Sequence, residues 1–341
     1  MQSPRTVTEL DTLISTPPPE VLAAVEQLPG TFAVLGAGGK MGLHLCLMLH
    51  KACQQLGRQA AVTAISRFGS PQSREAFERA GIPVLAADLS DPAHLESLPV
   101  FDQIFFLAGV KFGTSQQPEL LERMNVEMPE RVARHFRDAR IVALSTGCVY
   151  AFTTPASGGS REESETDPPG NYARSCLGRE AAFRKAAEQF GTRIALIRLN
   201  YSIDLRYGVL VDLARKILAE EPISVEMGYV NLIWQGDALA HTIQSMPCAA
   251  APPFVVNVTG TEILSVRELA LRLGALLGKR VELFGEEQPT AWLSNPAKAV
   301  RLFGPPRVTV EQMLQWTADW LASGGETWNK PTHFETRAGA Y

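Results

Sequence analysis

The residues of this 341-residue chain best suited to chemistry begin with a glycine run, Gly36-Ala37-Gly38-Gly39-Lys40-Met41-Gly42. It follows the apolar stretch Thr31 to Leu35 and precedes a segment rich in Leu and Met. Glycine is needed where a chain turns sharply from strand to helix and where backbone must approach a phosphate closely. The helix that follows would aim unpaired N–H groups and a positive partial charge at that phosphate. The spacing predicts a dinucleotide cradle at Gly36, Gly38, Gly39, Lys40, Met41 and Gly42; the plainer alternative is a glycine turn that serves only packing.

A second chemical signal ends the next apolar run, Ala60 to Ser66, which continues into Arg67-Phe68. In a dinucleotide fold an acidic residue there binds the adenosine ribose hydroxyls, whereas an Arg accommodates a 2′-phosphate. Ser66 stands in the acid's place, and Arg67 supplies a guanidinium that forks onto a phosphate. NADP is therefore the favoured coenzyme and NAD the alternative, the plain reading of Arg67 being a solvated surface charge. Five cysteines (Cys46, Cys53, Cys148, Cys176 and Cys248) form no Cys-x-x-Cys pair and leave one over. Reduced thiols in a cytoplasmic protein are expected. The six histidines show no ligand spacing, so no metal site is expected.

To position these groups the chain needs strands that alternate with helices. Strands are expected at Thr31–Leu35, Ala60–Ser66, Pro83–Ala87, Gln103–Ala108, Arg140–Ser145 and Thr192–Leu199, and helices at Leu43–Leu56, Ser73–Ala80, Pro118–Phe136 and Tyr172–Phe190. That order implies right-handed βαβ units in a parallel, doubly wound sheet, with ligands beyond the carboxyl ends of the strands. Residues 31–200 are read as a Rossmann-type α/β dinucleotide-binding domain. From Asn200 the alternation becomes irregular, with helices at Val209–Ala219, Asp237–Ser245, Ser265–Leu277 and Val310–Leu321 and a late strand at Phe254–Val258. Residues 201–325 are read as a smaller α/β substrate-binding region, with room for returning sheet elements. Residues 1–30 read as a helical extension (Val7–Ile14, Glu20–Leu28), and 326–341 as a polar tail.

Bulk composition narrows the class. The chain is 45% hydrophobic and 20% charged with a formal net charge of -4, which is ordinary for a soluble globular protein. There is no Lys/Arg run to attract nucleic acid or an anionic membrane, and no apolar stretch of membrane-spanning length. The start, MQSPRTVTEL, lacks the basic-then-apolar pattern of a secretion signal, and a cytoplasmic location is expected.

Two further stretches sharpen the reading. Ser145-Thr146-Gly147-Cys148-Val149-Tyr150 follows a strand, and Asn171-Tyr172-Ala173-Arg174-Ser175-Cys176-Leu177-Gly178-Arg179-Glu180 opens a helix. With the glycine loop, Asp88-Leu89 and Leu107-Ala108-Gly109-Val110-Lys111, they resemble the extended short-chain dehydrogenase/reductase family, which includes the nucleotide-sugar epimerases and dehydratases. The resemblance runs over roughly residues 31 to 320 with the motifs in the family's order. Leu107 to Lys111 is similar to the matching loop of UDP-galactose 4-epimerases, where the lysine lies at the cofactor. Asn125 matches an asparagine common in the family's fourth helix. The resemblance implies that Asp88, Leu89, Leu107, Ala108, Gly109, Lys111, Asn125, Tyr172 and Leu199 join the cofactor site. It implies that Tyr172 is the general acid/base and that Thr146 hydrogen-bonds the same substrate oxygen. It also implies a homodimer formed through the Pro118–Phe136 and Tyr172–Phe190 helices.

The family pattern is Tyr-x-x-x-Lys, and here the fourth residue after the tyrosine is Cys176. Positions four apart share a helix face, so the lysine would stand beside the phenol and favour its ionised form. A tyrosine of pKa about 10 costs about 4 kcal/mol to ionise at pH 7, and a thiol removes none of that. Lys111 or an oxidised nicotinamide ring is the candidate replacement; the spacing puts neither Arg174 nor Arg179 beside the phenol. Cys176 itself, early in a helix where a thiol pKa can fall, reads either as a packing residue or as a reactive thiol in catalysis or redox sensing.

For the substrate, family members acting on nucleotide sugars carry an Arg–aromatic pair shortly before a Val-x-Asp turn. The matching stretch, Gly228-Tyr229-Val230-Asn231-Leu232-Ile233-Trp234-Gln235-Gly236-Asp237, has no Arg. A desolvated diphosphate without charge-matched donors binds poorly. The expected activity is that of an NAD(P)-dependent oxidoreductase or epimerase/dehydratase acting on a hydroxyl of a sugar, sugar acid or small polyol. The expected contacts are Lys111, Thr146, Asn200, Arg206, Tyr207, Tyr229, Asn231 and Trp234. The alternative is a catalytically degenerate dinucleotide-binding redox sensor.

Overall fold

Short apolar runs such as FAVL and QIFF have no polar alternation, as strands buried on both faces require. In the computed structural model, which describes residues 2–58, 61–111 and 117–337, they form one parallel sheet between two apolar cores. Phe32 and Val34 point into one core, Ala33 and Leu35 into the other. The Ala60 start expected for the second strand, and the last four residues of the expected tail, lie outside the described residues.

The chain begins with α1 (Val7–Ser15) and α2 (Pro19–Glu26), followed by β1 (Phe32–Leu35), α3 (Gly42–Gln55), β2 (Val62–Ser66), α4 (Gln72–Arg79), β3 (Val84–Ala86), α5 (Pro92–Glu96) and β4 (Gln103–Phe106). The expected long helix is α6 (Pro118–Glu122) and α7 (Met128–His135), joined by a wider π-helical turn at Arg123–Glu127. Then come β5 (Arg140–Thr146), α8 (Asn171–Phe190) and β6 (Arg193–Leu199). The later half holds β7 (Ser202–Ile203), α9 (Val209–Leu218), β8 (Ile223–Ser224), β9 (Tyr229–Val230), β10 (Ile233–Trp234), α10 (Gln235–Gln244) and β11 (Phe254–Val258). It ends with β12 (Leu264–Ser265), α11 (Val266–Leu277), β13 (Leu283–Phe284), α12 (Ala297–Phe303) and α13 (Val310–Ala322).

Seven strands pair in the order β11-β6-β5-β4-β1-β2-β3, all parallel. The chain moves outward from β1 to β3 and then crosses to β4 on the other side of β1. A crevice opens beyond the strand ends at this reversal. β11 returns to the sheet beside β6, so the later half contributes to the nucleotide domain as well as to its own three small ribbons.

Both end segments of the described chain are packed on its body. α1 and α2 bury Leu10, Ile14, Val21 and Val25 in the main core. A polar network fixes them there: the Asp11 carboxylate meets His44 Nε2 at 2.8 Å and Arg206 at 2.9 Å, and Gln235 meets the other His44 nitrogen at 2.8 Å. His44 lies on α3, so the extension braces the helix that begins at the glycine loop. The tail is not a loose polar segment. Trp328 packs on Tyr207, Phe334 is buried, and Thr332 donates twice to Asp212 on α9.

Candidate active site

The glycine loop links β1 to α3, and its turn is held by backbone. Gly36 and Ala37 both donate to Ile65 O, at 2.8 and 3.1 Å, and Leu107 donates to Leu35 O at 2.8 Å. Gly36 has φ +85, and a Cβ there would stand 2.7 Å from the Ala108 nitrogen. A Cβ on Gly42 would fall 2.2 Å from Ala37 O. Neither site admits a side chain, which brings the loop against β4's exit and starts α3 directly beneath it. Such a turn at a helix N-terminus is a cradle that fits a pyrophosphate. Lys40 extends from this loop over the Tyr207 ring, its Nζ 3.1 Å from the centroid. Burial, assisted by the nearby Lys111 and Lys330 charges, pulls Lys40 down to about 7, with Asp212 pulling the other way.

At the end of β2, Ser66 lies against Gly38, whose added Cβ would stand 2.9 Å from the Ser66 Oγ. Phe68 takes φ +44 with its ring buried on Phe77, and Arg67 is left exposed at the rim. Asp88 caps its own turn by accepting from the Ser90 backbone and hydroxyl at 2.9 and 2.7 Å. Burial raises its carboxyl, but those bonds and the Arg67 charge hold it below the usual range. Leu89 is a core residue behind it.

The carboxyl ends of β1, β4, β5 and β6 meet the start of α9 around a cavity of about 380 Å³. Gly36, Gly39, Lys40, Met41, Gly42, Leu107, Gly109 and Lys111 line one side. Thr146, Tyr172, Leu199, Asn200 and Tyr207 line the other. Residues from opposite ends of the nucleotide domain thus face one space. Thr146 closes β5, and its hydroxyl accepts from the Cys148 N–H at 3.2 Å, which leaves its own proton to donate. Tyr172 stands in the first turn of α8.

Cys176 is fully buried against Val149 and Tyr150, and its side chain hydrogen-bonds that of Tyr172. Burial pushes the thiol up against the pull of Arg179, so the helix position confers no thiolate character. Across the cavity, Lys111 Nζ lies 5.6 Å from the Tyr172 ring centroid, and burial pulls its own pKa below the usual lysine range against the opposing pull of Cys148, Cys176 and Asp212. Burial and then Cys176 hold Tyr172 well above its ordinary value, and Arg179 draws it down. Arg179 thus acts on the phenol after all. It is three residues beyond Cys176, and the buried helix face carries its charge inward.

Asn125 sits off the cavity and is fully buried. Its amide clamps Val110 by accepting from the N–H and donating to the carbonyl, both at 2.9 Å, and it also meets Ser175 and Arg179. The wide turn at Arg123–Glu127 carries it. Asn125 therefore holds the loop that presents Lys111 and does not itself line the cavity.

Of the expected substrate contacts, Lys111, Thr146, Asn200 and Tyr207 line the cavity, and Arg206, Tyr229, Asn231 and Trp234 do not. Arg206 is committed to Asp204 and Asp11 in the buried network. Tyr229 pairs with Ser265 in a ribbon. Asn231 bonds the backbone of Glu262 and Ser294, and Trp234 packs on Trp316. Sequence reasoning did not find Tyr201, Ser202, Gln235 and Thr332, which also line the cavity. Thr332 lies in the tail, where no local pattern signals a cavity wall. Among the described residues no His/Cys/Asp/Glu group could hold a metal ion, and no helix is long and apolar enough to cross a membrane.

A seven-stranded parallel sheet, a glycine cradle at its topological switch and a Thr–Tyr pair beyond β5 define an extended short-chain dehydrogenase/reductase. The profile of the NAD dependent epimerase/dehydratase family matches residues 32–225, and the chain belongs to that family. No curated protein matches the sequence. Among solved structures, a UDP-galactose 4-epimerase is 21% identical, with a TM-score of 0.67 over 86% of this chain and 99% of its own. The UDP-glucose 4-epimerase of Thermus thermophilus, in complex with NAD, is 17% identical with a TM-score of 0.69 over 85% and 98%. The UDP-glucuronic acid 4-epimerase of Bacillus cereus, also with NAD, is 18% identical with a TM-score of 0.69 over the same shares. The protein is thus an enzyme of NAD-dependent epimerase/dehydratase type, and its cofactor is a nicotinamide dinucleotide.

Proposed function

We propose that this enzyme oxidises, and in an epimerase or dehydratase cycle restores, a hydroxyl-bearing carbon of a sugar, sugar acid or small polyol. The observation that carries the reading is the convergence of Thr146, Tyr172 and Lys111 with the glycine loop on one cavity. A nicotinamide dinucleotide, when bound, supplies the hydride acceptor and donor. Tyr172 takes the proton of the reacting hydroxyl on its phenolic oxygen and later returns it. Thr146 donates to the same substrate oxygen and fixes its orientation.

Lys111 takes the part left open by Cys176. At an effective dielectric near 20, a unit charge at that range is worth about 3 kcal/mol to the phenolate. That offsets part of the cost of ionising Tyr172, which exceeds the about 4 kcal/mol of an ordinary tyrosine at pH 7 because burial holds its value higher. Arg179 adds to it from below. The glycine loop and Lys40 hold the pyrophosphate, and Ser66 and Arg67 favour NADP over NAD by receiving a 2′-phosphate.

Structural neighbours include complexes with UDP-glucose, UDP-glucuronic acid and NAD. Here the described residues that line the cavity include no Arg, and the stretch Gly228–Asp237 offers none. A free, non-nucleotide substrate suits that lining. The α6–α7 segment and α8, joined by Lys185–Glu130, would form the dimer face.

The test is a screen of sugars, sugar acids and polyols with NADP and NAD, read by nicotinamide absorbance and product stereochemistry. Turnover of at least one is expected, with the larger kcat/KM on NADP. Retention of bound cofactor without turnover of any compound would leave the sensor reading in its place.

A further inference from the structure

The tail after α13 runs back over the substrate side of the cavity and is anchored along its length. The Trp328 N–H donates to Arg206 O at 3.1 Å, and its ring stacks on Tyr207 at 6.1 Å. The Arg206 guanidinium also lies over the Trp328 ring, 5.2 Å from its centroid. The Thr332 N–H and hydroxyl both donate to the Asp212 carboxylate, at 2.7 and 2.6 Å. Beyond them Phe334 is buried, Lys216 meets Glu335 at 3.1 Å, and Arg337 bonds Thr290 and covers Phe152. Asn329 and His333 take left-handed backbone conformations, φ +50 and +56, which bend the segment around these anchors.

This segment forms part of the cavity wall, because Thr332 lines the space shared by Tyr172 and Lys40. The start of α9, a place where an anion would ordinarily be welcome, carries Asp212 in its first turn with Thr332 seated on it. The remaining space of about 380 Å³ is at the low end for ligand sites and must also take the nicotinamide end of the cofactor. The neighbours are covered almost whole, yet about 14% of this chain has no counterpart in them. That share matches residues 1–30 and 326–341 together in length.

We propose that residues 326–337 are a strap that determines substrate size, admitting a small hydroxylated substrate and excluding nucleotide-diphosphate sugars. The proposal rests on the reading of the cavity given above. The strap does so by filling the cavity wall between Tyr207 and Asp212, which narrows the space left for a substrate.

The test uses the full-length, cofactor-loaded protein and a full-length Trp328→Ala/Thr332→Val variant. UDP-glucose binding is read by calorimetry, strap release by hydrogen exchange over residues 326–337, and cofactor affinity by nucleotide fluorescence. The native chain should bind UDP-glucose no better than millimolar. The variant should exchange at least about tenfold faster in the strap and bind UDP-glucose at least about tenfold tighter. Equal UDP-glucose affinity in both proteins overturns the proposal. So does a released strap without gain, and so does unchanged exchange, which would mean these contacts do not seat the strap. If the double variant does not fold, Thr332→Val alone decides by the same readings. Failure of the native chain to bind any nicotinamide dinucleotide would instead sink the proposed function, independently of the strap.

Discussion

The two ends of the cavity are built by different means. The nucleotide end consists of loops that each leave a strand of one sheet: Gly36–Gly42 after β1, Ser66–Arg67 after β2, Leu107–Lys111 after β4. The substrate end is assembled from the β6–β7 connection, the starts of α9 and α10, and a tail that arrives only near the end of the described chain. The first kind of site follows from local turn chemistry repeated on a regular frame. The second exists only once the whole chain has packed. The proposed chemistry lies at the junction, where Thr146 and Tyr172 come from the regular half and Tyr207 and Thr332 from the other.

The largest effect tests whether the junction holds the reaction. Tyr172→Phe removes one oxygen and leaves the fold and the glycine loop intact. The turnover number should fall by roughly a hundredfold to ten-thousandfold, the range of general acid–base catalysis. Cofactor affinity measured by fluorescence should stay within a few-fold. Unchanged turnover would move the proton transfer to another residue, and a parallel loss of cofactor binding would mean the phenol serves the nucleotide end only.

A smaller effect, about tenfold to a hundredfold in kcat/KM, is expected for Lys111→Met, because the cation from across the cavity is lost. The diagnostic partner is Cys176→Lys in the same background, which puts a cation one turn from the phenol on α8. Recovery of at least part of the rate in Lys111→Met/Cys176→Lys would show that the cation matters and its source does not. Cys176 is wholly enclosed, so the melting temperature must be followed with the kinetics. A well-folded double variant that recovers nothing would remove Lys111 from the ionisation of Tyr172. The same enclosure predicts that iodoacetamide labels Cys176 no faster than a model thiol near neutral pH.

Much of this was legible in sequence, and unevenly so. The strands and helices of residues 31–200 lie within a few residues of their expected places, since each apolar run and glycine break is a local signal. The capping of α11 by Ser265, which accepts the Glu268 N–H, is of the same kind. The position of Lys111 beside Tyr172 could be named only as an option, because a loop and a helix about 60 residues apart meet through the order of the sheet. Spacing from Tyr172 alone argues against Arg179, although burial of α8's inner face brings its charge to bear on the phenol. Arg206, Tyr229, Asn231 and Trp234 read as contacts because polar and aromatic residues are common in both binding sites and interdomain packing. Burial decided for packing, and nothing local distinguishes the two. The strap has the composition of a free tail, and only its anchors on Tyr207 and Asp212 reveal otherwise.

At the nucleotide end, Lys40 supplies a pH test. Its free-site value of about 7 means that the empty cradle loses the Lys40 charge as pH rises through neutrality. A bound pyrophosphate favours the charged form and raises that value. Affinity for the cofactor is therefore fully present below about pH 7 and weakens above it, by at most about tenfold per pH unit. Fluorescence titrations on both sides of neutrality should show this slope, and Lys40→Met should flatten it at the weaker level. A flat native profile would mean that Lys40 is turned to Tyr207 in the complex and leaves the phosphates to backbone N–H groups.

The smallest effect belongs to Arg67, and exposure is the reason. An exposed guanidinium is well solvated, and its field already falls partly on Asp88. A 2′-phosphate there gains a charge-assisted contact against competition from water and a carboxylate. Its value is that of a favourable surface pair, about 1 kcal/mol. Arg67→Ser should accordingly lower the preference for NADP over NAD by about fivefold to tenfold, the range that about 1 to 1.4 kcal/mol spans. NAD affinity and the melting temperature should not change. A preference that survives the substitution would transfer the choice of coenzyme to Ser66 and the backbone around Gly38. The nucleotide end would then read its ligand by shape, as the strap is argued to do at the other end.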